Sequence, residues 1–378
     1  MVGKVEVIPN EDIVVGVKNE ILRVYPFWKA LVELRAMCKR KPALVSCNVR
    51  LLDREPCEIF SGVDVVWMRS DIVVSTRRTG TPGTVDIQGG VQCDEEVFGF
   101  GSMHFVHRDA HITGDDGSYN LQSVVFFQRQ EQMQCVAGYM LHFAFLTHGM
   151  MQRCGVHEDE GSGRASFPSA TTKVLILGMG GNSMEFGLRH ILGVKAHISI
   201  VEIEPAVVRT CRRNNLLDDN PNTHIHVKTV EEALLDCPDD FNFIFMDVFE
   251  PKTGKMVNSH KLIEKAFAKL APEGLLVMNE HCIPTASKLR ELFRHIGTKC
   301  LQYINVKGWN ESVITASKMG ETRSEGTKLY SKALAESVLH SYNAAFPGWM
   351  PTYTWIERTR GYTIKNGDEK LFVRQWVT

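Results

Sequence analysis

Cysteine is present but never at a working spacing: ten residues and no CxxC pair. That argues against a zinc site or a disulfide framework, so no metal is expected, and it favours a reducing compartment. No apolar run is long enough to span a bilayer. The N-terminal stretch MVGKVEVIPNEDI has neither a secretory core nor an Arg/Ser-rich amphipathic presequence. Cytosol or nucleus is the expected location, a processed organellar form the alternative. Excess charge of one sign is also missing: 43 basic and 44 acidic residues leave a formal charge of −1. There is thus no global electrostatic case for nucleic acid or a membrane surface. The short runs Lys39-Arg40-Lys41, Arg77-Arg78 and Arg212-Arg213 read as solvated faces, and no basic stretch interleaved with aromatics suggests RNA. Internal repeats and low-complexity tracts are absent.

What is present describes an ordinary globular chain: 378 residues, 44% hydrophobic and 23% charged, enough for two domains with a large core. Residues 1–156 read as a mostly β region with one or two helices. Val5–Ile8 and Ile13–Val17 are strand-like, and Phe27 to Cys38 repeats its apolar residues at helical spacing after Pro26. From Ala43 to Phe127 short β-branched runs (Val63–Met68, Ile72–Ser75, Ser123–Phe127) alternate with turn residues. Tyr139 to Met151 predicts a buried helix, whose His142 and His148 read as core histidines before ligands. Residues 157–171, rich in Gly and Ser, predict a linker.

From Lys173 strands and helices alternate, and the strands are continuous apolar runs, the pattern of a mostly parallel sheet buried on both faces. The segment TTKVLILGMGGNSMEFGLRHILGVKAHISIVEIEP organises this half: strand, glycine turn (Gly178, Gly180, Gly181), helix, then a strand ending in Glu202. Asn182 or Ser183 is placed to cap the helix. Glycines permit close backbone approach, and a helix start offers free N–H groups. Glu202 follows Gly180 by 22 residues, where nucleotide-binding βαβ units place the carboxylate for a ribose diol. Ligands in such sheets lie beyond the carboxyl ends of the strands. Those ends supply Gly178–Gly181, Glu202-Ile203, Lys228-Thr229-Val230 and Asp247 to Pro251. Ile203 and Val230 are placed to sandwich an adenine. Asp247 is placed near the reacting centre; its alternative role is a loop-anchoring carboxylate. The last two strands, Leu301–Val306 and Ser312–Ala316, follow without a helix between them and predict an antiparallel hairpin at one edge, as in methyltransferase-like sheets. Residues 319–378 predict an appendage, a helix over Lys328 to Ala345 and two strands joined at Asn366-Gly367.

On KVLILGMGGNS, ISIVEIEPAVV and FNFIFMDVFEP the stretch from Tyr139 to Ser317 resembles the spermidine/spermine synthase superfamily. That superfamily shares its fold with class I S-adenosylmethionine (SAM) methyltransferases. The resemblance implies a Rossmann-like sheet preceded by a small β domain, SAM as cofactor, and a homodimer. It makes Gly178, Gly180, Gly181, Glu202, Ile203, Thr229, Val230 and Asp247 the cofactor-binding residues, with Asp247 also catalytic. Departures separate the subfamilies. Gly181 stands where aminopropyltransferases carry the loop aspartate, Thr229 replaces the acid after the third strand with Glu231 or Glu232 nearby, and Glu250 stands for the second acid of Asp-x-x-Asp-Pro. Cys135-Val136 stand where those enzymes carry an acidic pair. A multiply charged polyamine needs several carboxylates to replace its hydration, and no acidic cluster is visible near the site. The expected function is therefore methyl transfer, with a protein as acceptor. The alternatives are a non-catalytic scaffold and, after it, an aminopropyltransferase.

Overall fold

The computed structural model describes residues 5–8, 43–76, 97–109, 119–126, 136–155, 171–298, 300–306, 311–318, 335–338, 340, 358–366 and 369–377. Contacts divide the chain into two units: Met1–Pro56 with Asp64–Cys135, and Cys57–Val63 with Val136–Thr378.

The first unit is a five-stranded sheet in sequence order: β1 (Val5–Ile8), β2 (Ala43–Pro56), β3 (Val63–Thr76), β4 (Val97–Asp109) and β5 (Tyr119–Phe126). The sequence pattern predicts separate strands at Val63–Met68 and Ile72–Ser75; the structure has one. Arg69, Ser70 and Asp71 interrupt the hydrophobicity but stay paired with Arg50, Val49 and Asn48 of β2. Ladder hydrogen bonds continue through a polar segment as long as the partner strand does. The expected strand Ile13–Val17 and the helix over Phe27 to Cys38 lie outside the described residues, as does most of the expected linker.

The second unit begins with α1 (Val136–Gly155), nearly all of whose described side chains are buried, Phe143 and Phe145 completely. His142 is buried, and His148 sits in the core with its ring 5.2 Å from that of Phe243. Burial lowers the His148 pKa to about 4. Then come β6 (Lys173–Leu177), α2 (Ser183–Leu192), β7 (His197–Glu202), α3 (Pro205–Arg213), β8 (Thr223–Val227), α4 (Val230–Asp236) and β9 (Phe241–Met246). The two-residue ribbon β10 (Phe249–Glu250) and β11 (Lys255–Met256) leads to α5 (His260–Ala268), β12 (Leu270–Glu280), α6 (Ala286–Phe293), β13 (Cys300–Val306) and β14 (Glu311–Ser317). The chain closes with β15 (Arg358–Asn366) and β16 (Glu369–Val377).

Nine strands form one sheet in the order β15-β16-β13-β14-β12-β9-β6-β7-β8. β6, β7, β8, β9 and β12 are parallel, β14 runs against β12, and β13 runs against β14. The β13–β14 hairpin is therefore present but is not the edge. β16 adds in parallel to β13, and β15 pairs with β16. Within the appendage Trp376 is fully buried, and its indole N–H donates to Gln302 Oε1 at 2.7 Å. Burial of this size makes the tail strands part of the core, because an apolar face on an edge hairpin gains most by extending an existing sheet. The pairing Asn366↔Glu369 moves the connection to 367–368, one residue beyond the expected turn. Of the expected helix over Lys328 to Ala345, 335–338 is helical, with Ala335 and Val338 buried.

Strand order reverses between β6 and β9. From β6 the chain winds outward through β7 and β8, then returns to β9 and β12 on the other side. In open α/β sheets the crevice beyond such a reversal is the natural ligand site.

Candidate functional site

The crevice floor is backbone. Asp247 N–H donates to Leu177 O at 2.9 Å, and Gly178 N–H to Val201 O at 2.9 Å, so the ends of β9, β6 and β7 are tied side by side. Gly178 has φ +91, and a Cβ there would lie 2.3 Å from Asp247 O. Glycine is thus required for the strand ends to meet, a different reason from the ligand approach the sequence suggests.

The glycine turn is held from beneath. The Glu202 carboxylate accepts N–H bonds from Met179 at 3.1 Å and Glu204 at 2.9 Å, and another from Gly180. Burial raises its pKa, these three donors oppose the rise, and the Glu204 charge adds to it. Glu204, completely buried, accepts from Ala206 N–H as the cap of α3, with Pro205 at the first helical position. It also accepts from Glu58 N–H at 3.0 Å and Ile59 N–H at 2.9 Å, residues of the turn Cys57–Val63 that belongs to this unit.

Asn182 occupies the cap position of α2 with φ 60, but its side chain caps nothing. Its Nδ2 donates to Glu185 Oε2 at 3.1 Å and Leu216 O at 2.8 Å. Asparagine tolerates the left-handed conformation, and these two bonds give it a structural task in the turn. Thr229 is committed too. Its hydroxyl accepts from Glu232 N–H, and the Glu232 carboxylate accepts from the Thr229 N–H and hydroxyl, a complete capping box. Glu232 therefore does not stand in for the missing acid. Ile203 and Val230 lie at the β7 and β8 ends as the sequence places them.

A second group gathers at the ends of β9, β12 and β14, and it is largely invisible in the sequence. Asn279 Nδ2 donates to Asp247 Oδ1 at 3.0 Å. Burial raises the Asp247 pKa, against the pull of that bond and of nearby His281. Because β12 and β14 are antiparallel with Glu280 opposite Ser312, His281 and Glu311 come together, Nε2 to Oε1 at 3.6 Å. Phe249 packs its ring 5.5 Å from that of His281. Asn258 Nδ2 donates to Asn279 O at 2.7 Å and Glu280 Oε2 at 3.2 Å. Asp247 and Glu311 lie close enough for their charges to interact, so the expectation of no acidic cluster near the site is corrected. Those acids come from strands far apart in sequence. The adjacent polar run Asn279-Glu280-His281 at a strand end was the available signal.

A mostly parallel sheet that reverses at β6/β9 and carries β14 against its neighbours is the Rossmann-like, methyltransferase-type arrangement that the sequence predicts. Comparisons of backbone structure find human methyltransferase-like protein 13 in complex with SAH, at 16% identity and TM-score 0.43, covering 58% of this chain and 96% of that one. They also find a probable spermidine synthase from Corynebacterium glutamicum (18%, TM-score 0.40, 64% and 83%) and the spermidine synthase from Thermotoga maritima (13%, 0.38, 66% and 84%). No protein-family model matches the sequence, and no curated protein does. Among the described residues no three His, Cys, Asp or Glu side chains are placed to hold a metal ion, and no helix is long and apolar enough to cross a membrane.

Proposed function

We propose that the chain transfers a methyl group from SAM to a nucleophile carried by a protein. The observation that carries this is the meeting of Gly178 and Asp247 at the sheet's reversal point, with Glu202 at the next strand end. The residues fit such a cofactor. A carboxylate has about four lone-pair positions, and three backbone donors leave Glu202 room for a ribose hydroxyl. A full grip on both hydroxyls exchanges one of the backbone bonds. Ile203 and Val230 flank the adenine, and Gly178, Gly180 and Gly181 shape the turn. When bound, the cofactor supplies an activated methyl on a sulfonium. The protein's task is then to hold the nucleophile in line with it, which is worth several orders of magnitude in rate. Asp247, oriented by Asn279, is placed to align that nucleophile. The protein acceptor and a homodimer rest on the resemblance to the spermidine/spermine synthase superfamily alone.

Titration calorimetry with SAM and its demethylated product SAH tests the cofactor. Absence of heat from both at millimolar concentration sinks the proposal in favour of a scaffold. Much tighter binding of decarboxylated SAM returns the aminopropyl reading. Asp247→Asn that keeps activity within about twofold removes Asp247 from the catalytic role.

A further inference from the structure

His224 and His226 stand two residues apart on β8, the strand at which the nine-stranded sheet ends. Residues i and i+2 of a strand share a face, so the two imidazoles leave the same side of β8, their backbones about 6.6 Å apart. On that face β7 sets Ser199 opposite His224 and Val201 opposite His226. His224 is exposed and His226 half-buried. Among the described residues no hydrogen bond or ion pair holds either ring. Burial, then Lys228, then His224 lower the His226 pKa, which keeps that ring neutral with a free lone pair at neutral pH. The influence of His224 on His226 also shows the rings to be close enough for their charges to act on each other. Lys228, next on this face, is engaged by Asp236 at 3.0 Å, which offsets its charge.

We propose that His224 and His226 form a two-point chelate for a divalent transition ion of the copper, nickel and zinc class, with water completing its coordination. The inference is independent of the methyl-transfer reading, since β8 lies three strands from β9. Imidazole nitrogen suits these ions, and a metal–nitrogen bond of about 2.0–2.1 Å lets two rings on one strand face converge on one ion. Two unheld, neutral rings meet that need without breaking an existing bond. Among the described residues no third His, Cys, Asp or Glu completes a set, so the remaining positions fall to water. Magnesium and calcium ask for several oxygen ligands, which this face does not offer. An anion would ask for protonated rings, which burial and Lys228 oppose. The cysteine spacings that argue against a zinc site do not bear on a pair of imidazoles.

Calorimetry on the full chain at neutral pH, in a buffer that does not bind metals, tests this with Cu2+, Ni2+, Mg2+ and inorganic phosphate as probes. Cu2+ should bind more tightly than Ni2+, the usual order at nitrogen sites, and Mg2+ and phosphate should give no heat. Loss of even an outer partner of a metal ligand costs about 10–100-fold, so His224→Ala and His226→Ala should each weaken the ion by at least about tenfold. His224 is exposed, so its replacement should leave the circular dichroism spectrum unchanged. Electron paramagnetic resonance at substoichiometric Cu2+ should show two coordinated nitrogens in the wild type, a signal lost in either variant. Ni2+ affinity in His224→Ala within about twofold of the wild type overturns the assignment. So does phosphate binding that is lost in His224→Ala while the metal ions give no heat, since the face would then be an anion site.

Discussion

Gly178→Ala offers the sharpest test of how the site is built. At φ +91 any L side chain is strained, and the new Cβ would lie 2.3 Å from Asp247 O and 2.9 Å from its carbonyl carbon. Both obstacles are backbone, so relief requires the β6 and β9 ends to part. Left-handed strain costs about 1–2 kcal/mol, and overpacking of this kind a further ~1–3 kcal/mol. The total, about 2–5 kcal/mol, is a large share of a typical domain's stability.

Gly297→Ala separates the two contributions. Gly297 also has positive φ (+78), but a Cβ there meets nothing within 4 Å. Only the strain of about 1–2 kcal/mol should remain. For a unit of this size each kcal/mol moves Tm by roughly 2–4 °C. Thermal unfolding followed by circular dichroism should therefore place Gly178→Ala about 2–12 °C below Gly297→Ala. Equal melting shifts would refute the close approach of the two strand ends, and with it the geometry that carries the proposed function.

Three further outcomes are expected. Trp376→Ala removes a fully buried indole bonded to Gln302 and should cost about 3–5 kcal/mol in denaturant unfolding; a loss below 1 kcal/mol would show the tail strands to be dispensable. Arg189 bonds Glu185 at 2.9 Å and the carbonyls of Ala196 and Asn222, so Arg189→Ala leaves the buried Glu185 carboxylate without its counter-charge, held only by the Asn182 and Thr223 donors, and should cost about 3–5 kcal/mol, visible as a lower urea midpoint at unchanged m-value. Glu311, raised from 4.5 to about 7, holds its proton in the folded state after the unfolded chain has lost it. Stability must then fall as pH rises through that interval, and the wild type should lose roughly 2–3 kcal/mol relative to Glu311→Gln between pH 5 and 8; parallel pH profiles for the two proteins would contradict the burial of that carboxyl.

The parallel half of the sheet was legible because its strands are buried on both faces and appear as unbroken apolar runs. The place of Glu202 at a strand end was legible because it follows from the spacing within one βαβ unit. Glu311 was not: its meeting with His281 follows from the register of β12 against β14, which no local pattern reports. The same applies to the tail, whose hairpin was readable while its place beside β13 was not. The Thr229 capping box was open to a local reading, because a glutamate three residues after a threonine at a helix start is a pattern the sequence displays openly.

Two buried acids two residues apart, Glu202 and Glu204, would ordinarily repel and destabilise the fold. Each is instead given three backbone donors, and the Glu204 N–H is itself a donor to Glu202. The bonds form a chain from the glycine turn at Met179, through Glu202 and Glu204, to Glu58 and Ile59. Under the proposed function, a ribose held by Glu202 through both hydroxyls would displace one donor from this chain. The cost of that exchange is small only while Glu204 remains bonded, because a displaced amide can turn to water whereas a buried carboxylate cannot. Under the proposed function, the grip on Glu204 by Cys57–Val63 would be what lets Glu202 trade a backbone partner for a ligand, and residues more than a hundred positions from the glycine turn would share in that exchange.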